Sequence, residues 1–133
     1  MLYVVTGGSG SGKSAYAESV VKQLNTNHLE CYYIATMNPS EDAETKARIK
    51  RHRDMRKDSG MVPIECPVNI ASINAKSGSI FLLECMSNLL ANEMFLSEGS
   101  VGYTNSFNEL CKQVDATIIA PVAEWIKQDI EVV

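Results

Sequence analysis

Residues 7–14 form a glycine-rich segment whose residue types and spacing are those of a phosphate-binding loop. They read GGSGSGKS and match the pattern G-x-x-x-x-G-K-[ST] over its full length. In such a loop, backbone amides at the start of a helix converge on phosphate oxygens, the lysine meets the β- and γ-phosphates, and the last hydroxyl joins a magnesium shell. We therefore expect a nucleoside triphosphate to be bound by Gly7, Gly8, Ser9, Gly10, Ser11, Gly12, Lys13 and Ser14.

A single carboxylate ends the strongest buried-strand signal in the chain. Residues 79–83 read SIFLL, and Glu84 follows them directly. An acid in this position of a phosphate-loop protein acts on magnesium, either directly or through water. A strand-terminal glutamate that simply meets solvent is the alternative, but the phosphate loop favours the first interpretation. The sequence therefore predicts a metal site at Ser14 and Glu84.

A polar segment at residues 38–57 places a histidine among arginines. Arg48, His52 and Arg56 are spaced by four, so they would share one face of a helix. Nearby cations keep the imidazole of His52 neutral and nucleophilic, and arginines hold phosphates by paired hydrogen bonds. Such a histidine could attack a phosphorus atom and form a phosphoramidate. A solvated helix with acids first and bases last would have the same composition, so the pattern alone leaves both interpretations open.

The elements that must position these groups alternate between strand and helix. Strands are predicted at residues 2–6, 30–35, 61–66 and 79–84, with another beginning at 130–133. Helices are predicted at residues 14–24, 38–57, 86–96 and 107–128, with a kink or break at Pro121. Strands that are apolar on both faces predict an α/β fold, a mostly parallel sheet with helices on both faces. The binding crevice then lies at the carboxyl edge of the sheet, with Thr6, Thr36, Glu65 and Glu84.

Composition narrows the class of protein. The chain has 133 residues, of which 45% are hydrophobic, so we expect a single domain over 1–133. A net charge of −4 gives no basic field for nucleic acid. The sequence lacks both a membrane-length apolar stretch and a signal peptide, so we expect a cytoplasmic protein. Four widely spaced cysteines without a C-x-x-C pair predict buried, reduced thiols rather than a zinc or redox site.

Four motifs in this order resemble the bifunctional adenosylcobinamide kinase / adenosylcobinamide-phosphate guanylyltransferase family. They are Val5 to Ser14, Tyr33 to Thr36, Arg48-Ile49-x-x-His52-x-x-x-Arg56, and Leu82 to Cys85. The resemblance runs from Leu2 to Val133 and implies a P-loop NTPase with a RecA-like sheet, as well as small homo-oligomers. Members continue beyond the position of Val133, so we also expect the domain to lack its C-terminal portion.

The resemblance implies two reactions that use GTP, ATP and Mg²⁺. A nucleoside triphosphate first phosphorylates adenosylcobinamide, in which Lys13 has a catalytic role. The resulting phosphate then receives GMP from GTP through a GMP-histidine intermediate at His52, which gives adenosylcobinamide-GDP in adenosylcobalamin biosynthesis. Beside the loop, the family's nucleotide contacts carry over onto Ala35, Thr36, Met37, Arg53, Asp54, Met55, Arg56, Glu65 and Glu84.

Two other functions remain open at this point. A plain small-metabolite kinase would use the same loop, with His52 merely helping to bind phosphate. A non-catalytic, nucleotide-binding remnant would keep the loop without either reaction. Covalent labelling by GTP separates the bifunctional enzyme from both.

Overall fold

A parallel sheet forms the centre of the protein. The computed structural model describes residues 1–8, 10–38, 46–47, 50, 54, 59–74, 76–96 and 106–133. In these residues the sheet has four strands in the order β2-β1-β3-β4, and every neighbouring pair is parallel. The strands are β1 (Cys31–Ala35), β2 (Val62–Glu65), β3 (Ile80–Glu84) and β4 (Glu131–Val132). Pro63 is tolerated in β2 because β2 is an edge strand.

The helices follow the predicted order. They are α1 (Lys13–Leu24), α2 (Met86–Phe95), α3 (Phe107–Val114) and α4 (Ala120–Lys127), with a π-helical segment at Asp115–Ile119 and a 3-10 turn at Ile70–Ser72. Ser106 starts α3 through a reciprocal capping box with Glu109. A kink or break is predicted at Pro121, and the structure has the π-helical segment just before it. Pro121 itself lies in the first turn of α4, where a backbone N–H would have no partner within the helix.

Helices cover both faces of the sheet, as predicted. On one face, Ala17 and Val21 of α1 pack against apolar side chains that include Ile80 and Leu82 of β3. On the other face, residues of α2, α4 and the π-helical segment pack on Phe81. The ring of Phe81 makes edge-to-face contacts with Tyr32 and Trp125, at centroid distances of 5.6 and 4.8 Å. Alternation along β3 therefore sends even-numbered residues to the α1 face.

The strand predicted at residues 2–6 is present only as one parallel bridge, between Leu2 and Val132. The amide of Tyr3 donates to the carbonyl of Val132 at 2.8 Å, and the amide of Val132 donates to Met1 at 2.9 Å. Because β4 has two residues, its free edge can pair with only a short stretch of the N-terminal segment. The predicted position beside the sheet is confirmed, whereas a full strand over residues 2–6 is wrong.

Two further predictions have mixed outcomes. Of the helix predicted over residues 38–57, the structure describes Asn38, which is not helical, and Lys46, Ala47, Lys50 and Asp54, which are helical and exposed; the rest lies outside the described residues. The four cysteines are all free. Cys31 and Cys66 are buried, as predicted, and burial raises the pKa of each thiol. The prediction of burial is wrong for Cys85, which is half-buried, and for Cys111, which is exposed. No helix in the described part of the chain has the length and apolarity to cross a membrane.

Candidate nucleotide site

The phosphate-binding loop leads directly into α1. Gly12 is the residue before the helix and has φ 83°, a left-handed conformation that a Cβ would strain. A Cβ on Gly7 would lie 2.6 Å from Ser11 Oγ, so the Ser11 side chain approaches the backbone at Gly7 closely. Lys13 Nζ donates to the carbonyl of Gly8 at 3.1 Å, which keeps the lysine over its own loop. The loop thus presents the positive end of α1 and one cation to the same region.

The carboxylate of Glu84 meets the phosphate loop. Glu84 has the same parity on β3 as Ile80 and Leu82, so it faces α1. Ser14 Oγ donates to Glu84 Oε1 at 2.6 Å, although the two residues are 70 positions apart in the chain. The hydroxyl of Tyr33 donates to the other oxygen, Glu84 Oε2, at 3.2 Å. The two predicted metal-binding residues are therefore in direct contact.

A hydrogen-bond network joins the ends of the strands beneath this carboxylate. Thr36 is fully buried; its Oγ1 accepts from the amide of Cys85 and donates to the Cys85 carbonyl, both at 2.8 Å. The amide of Thr36 also donates to the carbonyl of Glu84 at 2.9 Å. From α2, Asn92 Nδ2 donates to the carbonyls of Thr36 and Pro67, at 2.8 and 2.9 Å. These contacts fix the end of β3 against β1, so the backbone that carries Glu84 is held from several sides.

The donor set fits a magnesium ion. Mg²⁺ takes oxygen ligands, and it is usually held by one or two protein groups plus phosphates and water. A serine hydroxyl and a carboxylate 2.6 Å apart supply such groups. The described residues contain no cluster of three or more His, Cys, Asp or Glu that could hold a metal by itself. Ser14 and Glu84 would therefore hold the ion together with phosphate oxygens and water.

A largely apolar cavity of about 380 Å³ adjoins the polar cluster. Lys13, Ser14 and Glu84 contribute to its wall. The other lining residues come from the segment at residues 2–5, from Ala17 of α1, from the end of β3 and the start of α2, from the π-helical segment and α4, and from Val132 and Val133. Several of the lining side chains are exposed, including Val4 and Ile119. The cavity gives access to the loop from the side of α4.

The structure places some of the predicted site residues together. Ala35 is aligned in register with both Glu65 and Glu84, so the predicted carboxyl edge is confirmed for β1, β2 and β3. Asp54 is helical and exposed, and its predicted nucleotide contact stays a prediction, as do those of Ala35, Thr36, Met37 and Glu65. Five predicted residues lie outside the described part of the chain: Ser9, His52, Arg53, Met55 and Arg56.

Two residues of the site were missed by sequence reasoning. Tyr33 touches Glu84, and Asn92 holds the strand ends. A signal for Asn92 existed, because it lies three residues after Leu89 and so on the same face of the predicted helix. A polar side chain on such a face needs hydrogen-bond partners. Tyr33 carried no comparable signal, because its role depends on which strand lies beside β1.

Comparison with known proteins places this fold and site in a family. Residues 3–130 match the family described as cobinamide kinase / cobinamide phosphate guanyltransferase. The bifunctional adenosylcobalamin biosynthesis protein CobU of Salmonella typhimurium is 31% identical over 102 residues, which cover 74% of this chain and 53% of the relative. The protein of the same name from Escherichia coli is 32% identical over 97 residues, covering 71% and 51%. The chain thus spans about half the length of these curated relatives. With its P-loop α/β fold, the chain belongs to the cobinamide kinase / cobinamide phosphate guanyltransferase family.

Proposed function

We propose that this chain carries the nucleotide site of an adenosylcobinamide kinase and adenosylcobinamide-phosphate guanylyltransferase. The observation that carries the proposal is the 2.6 Å contact between Ser14, in the phosphate loop, and Glu84, at the end of β3. Family membership supports the choice of substrate, because the relatives are named for adenosylcobalamin biosynthesis. GTP and ATP are the nucleotides, and adenosylcobinamide and its phosphate are the acceptors.

In the kinase reaction, the chain binds and orients the triphosphate. Loop amides and the positive end of α1 hold the phosphates, and Lys13 neutralises the charge that develops on the transferred group. The terminal hydroxyl of the aminopropanol arm of adenosylcobinamide attacks the γ-phosphorus. A new oxygen–phosphorus bond forms while the bond to the β,γ-bridging oxygen breaks, which releases the nucleoside diphosphate, and the hydroxyl proton is lost to solvent.

Ser14 and Glu84 are the residues that would hold magnesium in both reactions. A bound magnesium ion would supply positive charge that neutralises the phosphates. Ser14 supplies a hydroxyl at the start of α1, and Glu84 supplies a carboxylate that Tyr33 also contacts. The protein's own part is to keep these oxygens at a fixed place beside the loop.

In the guanylyltransferase reaction, we propose that His52 is the nucleophile. Its imidazole nitrogen attacks the α-phosphorus of GTP, and pyrophosphate leaves as the nitrogen–phosphorus bond forms. A phosphate oxygen of adenosylcobinamide phosphate then displaces the histidine and gives adenosylcobinamide-GDP. Support for this step comes from the sequence pattern in which Arg48 and Arg56 flank His52 at helical spacing.

Binding of a fluorescent GTP analogue tests the site directly. We expect magnesium-dependent binding by the unchanged chain, and we expect Ser14→Ala to weaken it by at least about tenfold. Ser19→Ala is the matched control, because its hydroxyl donates to the carbonyl of Tyr16 on the same helix, away from the loop. Equal weakening by both substitutions, or binding that ignores magnesium, would contradict the proposed site. Binding without phosphorylation of adenosylcobinamide or labelling by GTP would instead favour a nucleotide-binding module without catalysis.

A further inference from the structure

Two hydroxyl groups from different elements hold the carboxylate of Glu84. Ser14, on α1, donates to Oε1 at 2.6 Å, and Tyr33, on β1, donates to Oε2 at 3.2 Å. We propose that Tyr33 is a positioning residue whose hydroxyl fixes the Glu84 carboxylate in the orientation that serves a nucleotide-bound magnesium ion. The inference rests on the proposed function, because it concerns the same site.

The position of Tyr33 follows from the register of the sheet. Tyr33 is paired with Leu82, and Ala35 is paired with Glu84. Tyr33 therefore lies on the neighbouring strand, two residues before the position opposite Glu84, and on the same face of the sheet, the one that packs against α1. From there the long side chain of Tyr33 can reach Glu84. Its ring is half-buried and packs against the cluster that contains Val21. A packed ring with few rotatable bonds presents its hydroxyl in one direction.

Ser14 and Tyr33 contact different oxygens of the Glu84 carboxylate. In the proposed site the hydroxyl of Ser14 would be a ligand of magnesium, whereas Tyr33 would not. Tyr33 holds Oε2, and Oε1 is the oxygen that faces Ser14. Groups that orient a ligating carboxylate in this way contribute to metal affinity without touching the metal.

The chain supplies a matched control one residue away. Tyr32 lies on the opposite face of β1, where its ring contacts Phe81 and its hydroxyl donates to Glu30 at 3.1 Å. Tyr32→Phe and Tyr33→Phe remove the same atom from the same strand. Only the second removes a contact to Glu84, so the difference between the two variants reports on the carboxylate and not on the loss of a strand hydroxyl.

The test measures binding of the fluorescent GTP analogue, first in EDTA and then as Mg²⁺ is titrated. For Tyr33→Phe we expect unchanged affinity in EDTA and a magnesium half-saturation concentration raised about 3- to 10-fold. Tyr32→Phe should match the unchanged chain in both. In a Glu84→Gln background, Tyr33→Phe should have no further effect, because the carboxylate it orients is gone.

The outcomes separate this inference from the proposed function. An unchanged or lowered magnesium requirement in Tyr33→Phe, with normal magnesium dependence in the unchanged chain, overturns the role of Tyr33 alone. Absence of magnesium-dependent binding in the unchanged chain overturns the proposed site and this inference together. A loss of affinity in EDTA as large as the loss in magnesium would mean that the substitution disturbs the loop, and it would also overturn the positioning role.

Discussion

Truncating Asn92 to alanine tests how the strand ends beneath the site are held together. The side-chain amide donates to two backbone carbonyls, of Thr36 at 2.8 Å and of Pro67 at 2.9 Å, and the residue is 8% exposed. Removing the amide leaves both carbonyls without this donor, at about 1–3 kcal/mol each. We therefore expect the free energy of unfolding to fall by about 2–6 kcal/mol, a large part of the total for a domain of this size.

Asn88→Ala supplies the control for this substitution. Asn88 lies four residues earlier on α2, so the same residue change brings the same gain in helix propensity. It leaves the bonds to Thr36 and Pro67 intact, and its effect should stay below about 1 kcal/mol. Urea denaturation measures both variants, with the slope of the transition checked for equality. Losses that agree within error would refute the view that Asn92 fixes these strand ends.

Two further predictions concern the loop and the thiols. Gly12→Ala should lower the melting temperature by about 3–8 °C, because φ is 83° at that residue and a side chain there is strained. Gly8→Ala is the control and should change the melting temperature little, because a Cβ there would meet no neighbour within 4 Å. Calorimetry measures both variants, and equal shifts would contradict the strain at Gly12. Burial raises the pKa of the Cys66 thiol above its ordinary value of 9.0, so its contribution to stability is complete below pH 9.0 and is lost as the pH rises through the folded value. Denaturation at stepwise higher pH should show that fall; Cys66→Ala should make it smaller, with the buried Cys31 still contributing, and substitution of the exposed Cys111 should leave it unchanged.

Local sequence patterns were sufficient to predict most of the sheet and the centre of the site. The apolar run before Glu84 and the glycine pattern before Lys13 are local features with strong physical constraints, and the structure places their polar ends in contact through Ser14. Alternate residues of a strand share a face, so Glu84 lies on the same face of β3 as Ile80 and Leu82, the face that packs against α1. The length of the first strand was overestimated because the strand propensity of residues 2–6 gives no information on the length of β4, the strand with which they pair.

The supporting contacts depend on tertiary structure. Tyr33 touches Glu84 because β1 pairs with β3, although the two strands are far apart in the chain. Strand pairing of this kind follows from the topology and not from local propensity. Asn92 reaches Thr36 and Pro67 because α2 turns back across the strand ends after the cap at Cys85. The spacing of Asn92 from Leu89 indicates a polar residue on the packed face of the helix, but it does not identify Thr36 and Pro67 as its partners.

The proposed transfer of GMP to His52 is tested by the intact mass of the chain after incubation with GTP and Mg²⁺. The chain contains two histidines, so His28, an exposed residue before β1, is a matched control for His52. We expect the mass of one GMP to be added with GTP, to be absent with ATP alone, to persist in His28→Ala and to disappear in His52→Ala. An adduct that survives in His52→Ala, or no adduct in a chain that binds GTP with magnesium, would contradict the proposed guanylyltransferase mechanism.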